Sequence, residues 1–158
     1  MRTTVTRLYR FSASHRLHIS QLSEDENTRL YGKCNNPFGH GHNYVLEVTA
    51  EGPVDSQTGL AIRLSELDRL VDEQVLRLFR DRNINLDVPQ FQDIVPTTEN
   101  IAAVITELLQ QNWATYISGA ATLRRVHVQE TDRNGFEVWV PSDAAKRGRQ
   151  SERIKVAV

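Results

Sequence analysis

Residues Tyr31 to Ala50 read YGKCNNPFGHGHNYVLEVTA. From Asn43 to Ala50 the apolar side chains Tyr44, Leu46 and Val48 alternate with Asn43, Glu47 and Thr49. A period of two marks a strand with one buried face. His40 and His42 stand at its entrance, two positions apart, so both imidazoles point to the same side. Gly41 between them lets a backbone or a ligand come close. Cys34 lies six residues before His40 in a polar segment broken by Gly and Pro, which reads as a loop.

Outward toward the N-terminus, Arg2 to Ser14 is rich in Thr, Val, Tyr and Phe and reads as another strand. His15 ends it. Pairing the two strands antiparallel puts the end of one beside the start of the other, so His15 reaches His40 and His42. Three neutral imidazoles with an open fourth position are the pattern of a catalytic zinc. His-x-His alone also occurs with no metal at all. His18 and His127 lack such company and read as surface or strand polar residues. A lone intracellular cysteine is usually buried and inert, but a loop thiol beside a metal has its pKa lowered and becomes a base or nucleophile.

Toward the C-terminus, Ser20 to Gly32 is polar, with a helical turn around Glu24 to Leu30. Glu51 to Gly59 is a connection. A helix follows, with Ser65 as N-cap and Leu67, Leu70, Val71, Val75 and Leu78 at helical spacing, fading near Arg80. A second starts at Thr98 after a loop. It carries Ile101, Val104, Ile105, Leu108 and Leu109 on one face, Thr97 and Thr98 as caps, and Glu99 suited to the helix dipole. Ser118-Gly119 breaks it. Leu123 to Glu130 and Phe136 to Val140 are strands joined by Asp132-Arg133-Asn134-Gly135, whose Asn-Gly is a hairpin signal. The order is β-β-α-α-β-β. Glu130 faces the same side as Val126 and Val128, and is either a rim residue or an anchor for a guanidine-like ligand edge.

The chain has 158 residues, 19 Lys plus Arg, 20 Asp plus Glu, and a net charge of −1. Length favours one domain, spanning residues 1–140, with a basic, mobile tail over 141–158. The charge balance gives no support to a nucleic-acid or membrane-surface partner. No apolar run approaches the roughly 20 residues of a membrane span, the start lacks a signal peptide's apolar stretch, and one cysteine makes no internal disulfide. A cytoplasmic location is the default.

Together, FSASHRL (Phe11–Leu17), YGKCNNPFGHGHNY (Tyr31–Tyr44), LDVP (Leu86–Pro89), PTTEN (Pro96–Asn100) and QETD (Gln129–Asp132) resemble the 6-pyruvoyltetrahydropterin synthase family. The Cys-x5-His-Gly-His spacing resembles its pyruvoyl-forming branch; the related 6-carboxytetrahydropterin synthases usually have a shorter one. The resemblance implies an α+β T-fold: a four-stranded antiparallel sheet with two helices on one face. Three sheets close into a barrel and two trimers stack into a homohexamer, which removes exposed sheet edges. It implies zinc on His15, His40 and His42, and Cys34 as the proton-transferring thiol. It implies Glu130 on the pterin ring and Thr97, Thr98 and Glu99 near that pocket. The substrate implied is 7,8-dihydroneopterin triphosphate, from which triphosphate is eliminated with no external redox cofactor.

One departure stands out. The family places Asp-His before Lys/Arg-Asn after the first helix, where the His shuttles protons for the thiol. Here Arg80-Asp81 precede Arg82-Asn83, and no histidine lies between His42 and His127. Arginine stays protonated and cannot shuttle. Asp81 can accept a proton but is a weak base unless desolvated. The expectation is a retained zinc and pterin pocket with a slow or altered pyruvoyl reaction. Alternatives are a carboxy-type or aldolase-type relative on the same dihydropterin, or a pterin-binding protein with little turnover.

Overall fold

The computed structural model describes residues 1–141; the tail expected beyond falls almost wholly outside the described residues. In chain order the elements are β1 (Arg2–His15), α1 (Glu24–Tyr31), β2 (His40–Pro53), α2 (Leu64–Val71), α3 (Arg77–Phe79), β3 (Arg82–Asn83), α4 (Ile84–Asp87), α5 (Thr98–Tyr116), β4 (Thr122–Thr131) and β5 (Asn134–Trp139). A π-helical turn, Asp72–Leu76, joins α2 to α3.

The sheet runs β3-β1-β2-β4-β5. Four strands are antiparallel neighbours, as expected. The two-residue β3 adds a parallel edge beside Ala13 and Ser14 that hydrophobic periodicity is too short to reveal. Fourteen residue pairs from Arg2↔Pro53 to His15↔His40 hold β1 against β2. Tyr44, Leu46 and Val48 are fully buried against the helices, together with Leu67, Leu70, Val71, Val75, Ile101, Ile105 and Leu109. Fully burying each large aliphatic side chain favours the fold by about 1.5–3 kcal/mol. Leu78 and Leu108 sit at the rim of this core, half-buried. Asp68 on α2 accepts from Arg7 Nε at 3.0 Å and from the Tyr9 hydroxyl at 2.9 Å, tying helix to sheet.

Three local readings are corrected. Ser65 lies inside α2, whose N-cap is Arg63 with no side-chain capping bond; Glu66 instead binds Ser118 across the connection. Asn134 and Gly135 belong to β5, and Asp132-Arg133 form the hairpin tip. The Thr131 hydroxyl accepts from the backbone N–H of both Arg133 and Asn134, which moves the turn back. The Cys34 segment is a 3₁₀ turn, Gly32–Asn35, anchored by Leu17 N donating to the Cys34 carbonyl at 2.8 Å.

A candidate metal centre at the end of the first two strands

Register builds the site. His15 and His40 are direct partners at the end of the β1–β2 ladder, and His42 pairs with Ala13 two steps in. All three imidazoles project to the helix-covered face. One nitrogen from each lies within 4.8 Å of the other two. Nε2 of His15 and of His40 are 3.3 Å apart, matching the about 3.3 Å between nitrogens at tetrahedral zinc distances.

The surroundings set the rings up as ligands. Nδ1 of His15 donates to the Pro96 carbonyl at 2.8 Å, which fixes the tautomer and leaves Nε2 with a lone pair. Burial pushes the pKa of His15 and of His40 down, favouring neutral rings. His42 Nε2 and His40 Nδ1 are buried without a hydrogen-bond partner. An unpaired buried imidazole nitrogen is costly unless something binds it. The donor set fits a divalent metal.

Gly39 makes the approach possible. Its φ is +70°, and a Cβ there would sit 2.8 Å from the His15 carbonyl oxygen. The close-approach glycine is therefore Gly39. At Gly41 a Cβ would be 3.5 Å from the Ala13 carbonyl, an ordinary contact.

Glu130 closes the inner wall. Its Oε1 accepts from Thr98 Oγ1 at 2.8 Å and lies 3.6 Å from His42 Nε2 and 3.7 Å from His15 Nε2. Cys34 is half-buried beside this group. Burial first, and then the Glu130 charge, push its thiol up. The groups of this chain thus work against the lowered pKa expected of a thiol beside a metal, whose charge would pull it the other way. A cavity of about 630 Å³ opens beside His40, lined by residues that flank Cys34, among them Lys33, Asn35 and Pro37.

The remaining candidates divide. Thr97 spends its side chain on the N-cap of α5, accepting from Asn100 N at 3.4 Å. Thr98 holds Glu130. Glu99 is exposed in the first helical turn. Asp81 stands apart with a φ of 59°, its N–H donating to the Ser12 carbonyl at 2.7 Å. It lines a cavity of about 480 Å³ with Arg10, Ser12, Asn43 and Arg80. Arg10, Ser12 and Asn43 alternate with the core-facing residues, so this cavity belongs to the uncovered face of the sheet. His18 donates to Asn35 Oδ1 at 3.0 Å, and His127 sits near Glu47, neither in the trio. Pro96, Gly39 and Tyr44 were missed by sequence reasoning. Only Tyr44 carried a signal, as the next same-face residue after His40 and His42.

The chain matches the sequence model of a family described as 6-pyruvoyl tetrahydropterin synthase over residues 4–141. It is 44% identical over 130 residues to the human protein named 6-pyruvoyl tetrahydrobiopterin synthase, covering 82% of this chain and 86% of that one. The solved structure of the Caenorhabditis elegans 6-pyruvoyl tetrahydropterin synthase superposes with a TM-score of 0.80 at 37% identity, covering 89% of this chain and 97% of that one. A dihydroneopterin monophosphate aldolase from Pyrococcus furiosus is 33% identical over 99 residues, covering 63% of this chain and 76% of that one.

Proposed function

The chain belongs to the 6-pyruvoyl tetrahydropterin synthase family, and from that membership we propose that it is a zinc-dependent lyase eliminating triphosphate from 7,8-dihydroneopterin triphosphate. The observation that carries the reading is the cluster of His15, His40 and His42 with Glu130 against it and Cys34 alongside. His15, His40 and His42 would hold the zinc. When bound, that ion supplies Lewis acidity toward the side-chain oxygens of the substrate. The protein does the rest. Glu130 accepts hydrogen bonds from the N–H edge of the pterin ring, with Thr98 fixing its carboxylate. Thr97 and Glu99 belong to the helix start that frames this pocket. Cys34 Sγ moves the proton taken from the substrate side chain, and Asp81 is the carboxylate that takes the shuttle's place.

The working unit in this proposal is a homohexamer in the cytoplasm, acting on a small pterin without nucleic-acid or membrane partners. Its support is the sheet itself. The outer edge of β5 is unpaired among the described residues, and Leu8 and Trp139 are exposed on the uncovered face. Among the described residues no helix is long and apolar enough to cross a membrane.

Product analysis with dihydroneopterin triphosphate and zinc-loaded protein is the test. Stoichiometric release of inorganic triphosphate with a 6-pyruvoyl product is expected. The likeness to an aldolase and the missing Asp-His pair favour one second reading, carbon–carbon cleavage. That reaction would instead give 6-hydroxymethyl-dihydropterin and a glycolaldehyde-type fragment. Tight pterin binding with intact zinc and no product would leave a binding protein.

A further inference from the structure

The residues that follow His15 also hold the thiol turn. Past the end of β1 the chain passes Arg16, Leu17 and His18 beside the 3₁₀ turn Gly32–Asn35. Three hydrogen bonds join the two segments. Leu17 N donates to the Cys34 carbonyl at 2.8 Å, His18 Nδ1 to Asn35 Oδ1 at 3.0 Å, and Arg16 Nε to the Asn35 carbonyl at 3.2 Å. All three end on Cys34 or on the residue next to it. Asn85, 69 positions away in sequence, grips the main chain of Arg16. Arg16 N donates to Asn85 Oδ1 at 2.7 Å, and Asn85 Nδ2 donates to the Arg16 carbonyl at 2.9 Å. Asn85 is itself held in α4, where its N–H donates to Asn83 Oδ1 at 3.1 Å.

The main chain of Arg16 is thus fixed by α4 on one side and by its neighbour His15 in the strand ladder. Its side chain carries that fixity to the turn. The guanidinium also lies 3.5 Å from Asn35 Oδ1 and 3.7 Å from the exposed Glu24 carboxylate. A planar fork of donors is pre-organised and loses little freedom for each bond it makes. Cys34 needs such support, because its turn lies outside the sheet and strand register does not place it. The Leu17 bond is main chain to main chain and would form with almost any side chain there. The His18 bond ends on the Asn35 side chain. Of the three, only Arg16 uses a side chain to hold the backbone of the turn. A thiol that moves a proton must stay within hydrogen-bond reach of it, and a misplacement of about 1 Å can cost on the order of 10²-fold in rate.

We propose that Arg16 is a positioning residue, whose guanidinium holds the backbone at Asn35 so that the Cys34 thiol keeps its place beside the histidine cluster. Arg16 itself touches no substrate. This inference rests on the pterin-lyase reading, in which Cys34 moves the proton.

The test compares zinc-loaded wild type, Arg16→Met and Arg16→Lys. Methionine keeps much of the stem and removes every donor; lysine keeps the charge and one donor without the fork. Triphosphate release, equilibrium binding of 7,8-dihydroneopterin and zinc content are measured. So is the rate at which iodoacetamide alkylates Cys34, the one cysteine of the chain. Arg16→Met is expected to lose about 10- to 100-fold in kcat, with KM, pterin affinity and zinc content little changed. Its thiol should be alkylated several-fold faster as the turn loosens and exposes it. Arg16→Lys should fall between the two in both rates. An Arg16→Met protein that melts lower but keeps the wild-type kcat and alkylation rate overturns the proposal, since the arginine would then be structural. A slower enzyme with unchanged alkylation overturns it, and so does loss of zinc or of pterin affinity. If Arg16→Met does not fold, Arg16→Lys decides: a lower kcat with faster alkylation supports the tether, and wild-type values refute it. A wild type that binds pterin but releases no triphosphate sinks the lyase reading. The tether is then judged by alkylation alone, where a faster Arg16→Met protein upholds it and an equal one overturns it.

Discussion

Gly39 and the His15 carbonyl are so close that a β-carbon at position 39 would lie 2.8 Å from that oxygen. The contact sets how near the Cys34 turn and the start of β2 come to the end of β1, and so how near His40 comes to His15. Gly39→Ala is expected to weaken zinc binding by about 10- to 100-fold, the scale seen when ligands lose their support. It should also cost about 1–3 kcal/mol of stability through the positive φ. Competition with a chelator and a thermal melt measure the two. Unchanged zinc affinity would mean that the backbone relaxes without moving His40.

Acid should loosen the metal-free fold through the same rings. Burial holds His15 and His40 below their ordinary pKa. The unfolded chain therefore takes up protons, from about pH 6.5 downward, that the folded rings refuse. Stability is full above that pH and falls as pH drops toward the lowered folded values, where it levels off. Denaturation midpoints of chelator-treated protein between about pH 5 and 8 should trace this slope. His15→Gln, which cannot titrate, should lessen it, and adding His40→Gln should flatten it. A wild-type profile already flat would contradict the burial argument.

What the sequence made legible is what strand periodicity controls. Tyr44, Leu46 and Val48 alternate into the core, and antiparallel pairing then sets His15 opposite His40. What escaped depends on closures over long separations. Pro96 accepts from His15 across 81 positions, and Thr98 reaches Glu130 across 32; no local pattern marks either. The choice between Gly39 and Gly41 turned on φ and on a neighbouring carbonyl, which residue type alone leaves open. Asp81 is held beside the uncovered face by its N–H on the distant Ser12 carbonyl, and β3 next to it pairs with β1 over only two residues, too few for periodicity to show.

Glu130→Gln keeps the shape of the wall and removes its charge. The amide can still meet Thr98, but it no longer offers a carboxylate to the pterin N–H edge. Hydrogen bonds to charged groups contribute about 1.5–3 kcal/mol, so affinity for 7,8-dihydroneopterin should fall by roughly 10- to 100-fold. Zinc content should hold, because His15, His40 and His42 are untouched. Equilibrium binding and metal analysis on the same preparation decide it. Loss of zinc with retained pterin affinity would mean that Glu130 serves the metal and not the ring.

The Arg80-Asp81 pair bears most directly on rate. A guanidinium at Arg80 cannot pass a proton at neutral pH. Asp81 stands with Arg10, Ser12 and Asn43 on the uncovered face, so within one chain it is turned from Cys34. It can serve a thiol only across a contact with another copy, which the proposed hexamer would provide. Exchanging the pair, Arg80→Asp with Asp81→His, restores a group that titrates near neutrality. The backbone allows it: Asp81 has a φ of 59°, a region where histidine is among the better-tolerated side chains. If proton transfer there limits turnover, the double variant should gain up to about 10²-fold in kcat, within what general acid–base assistance supplies. The gain should follow a pH profile with a new inflection near neutrality. An unchanged rate with an unchanged profile would place the limiting step elsewhere and clear Arg80 of slowing the enzyme.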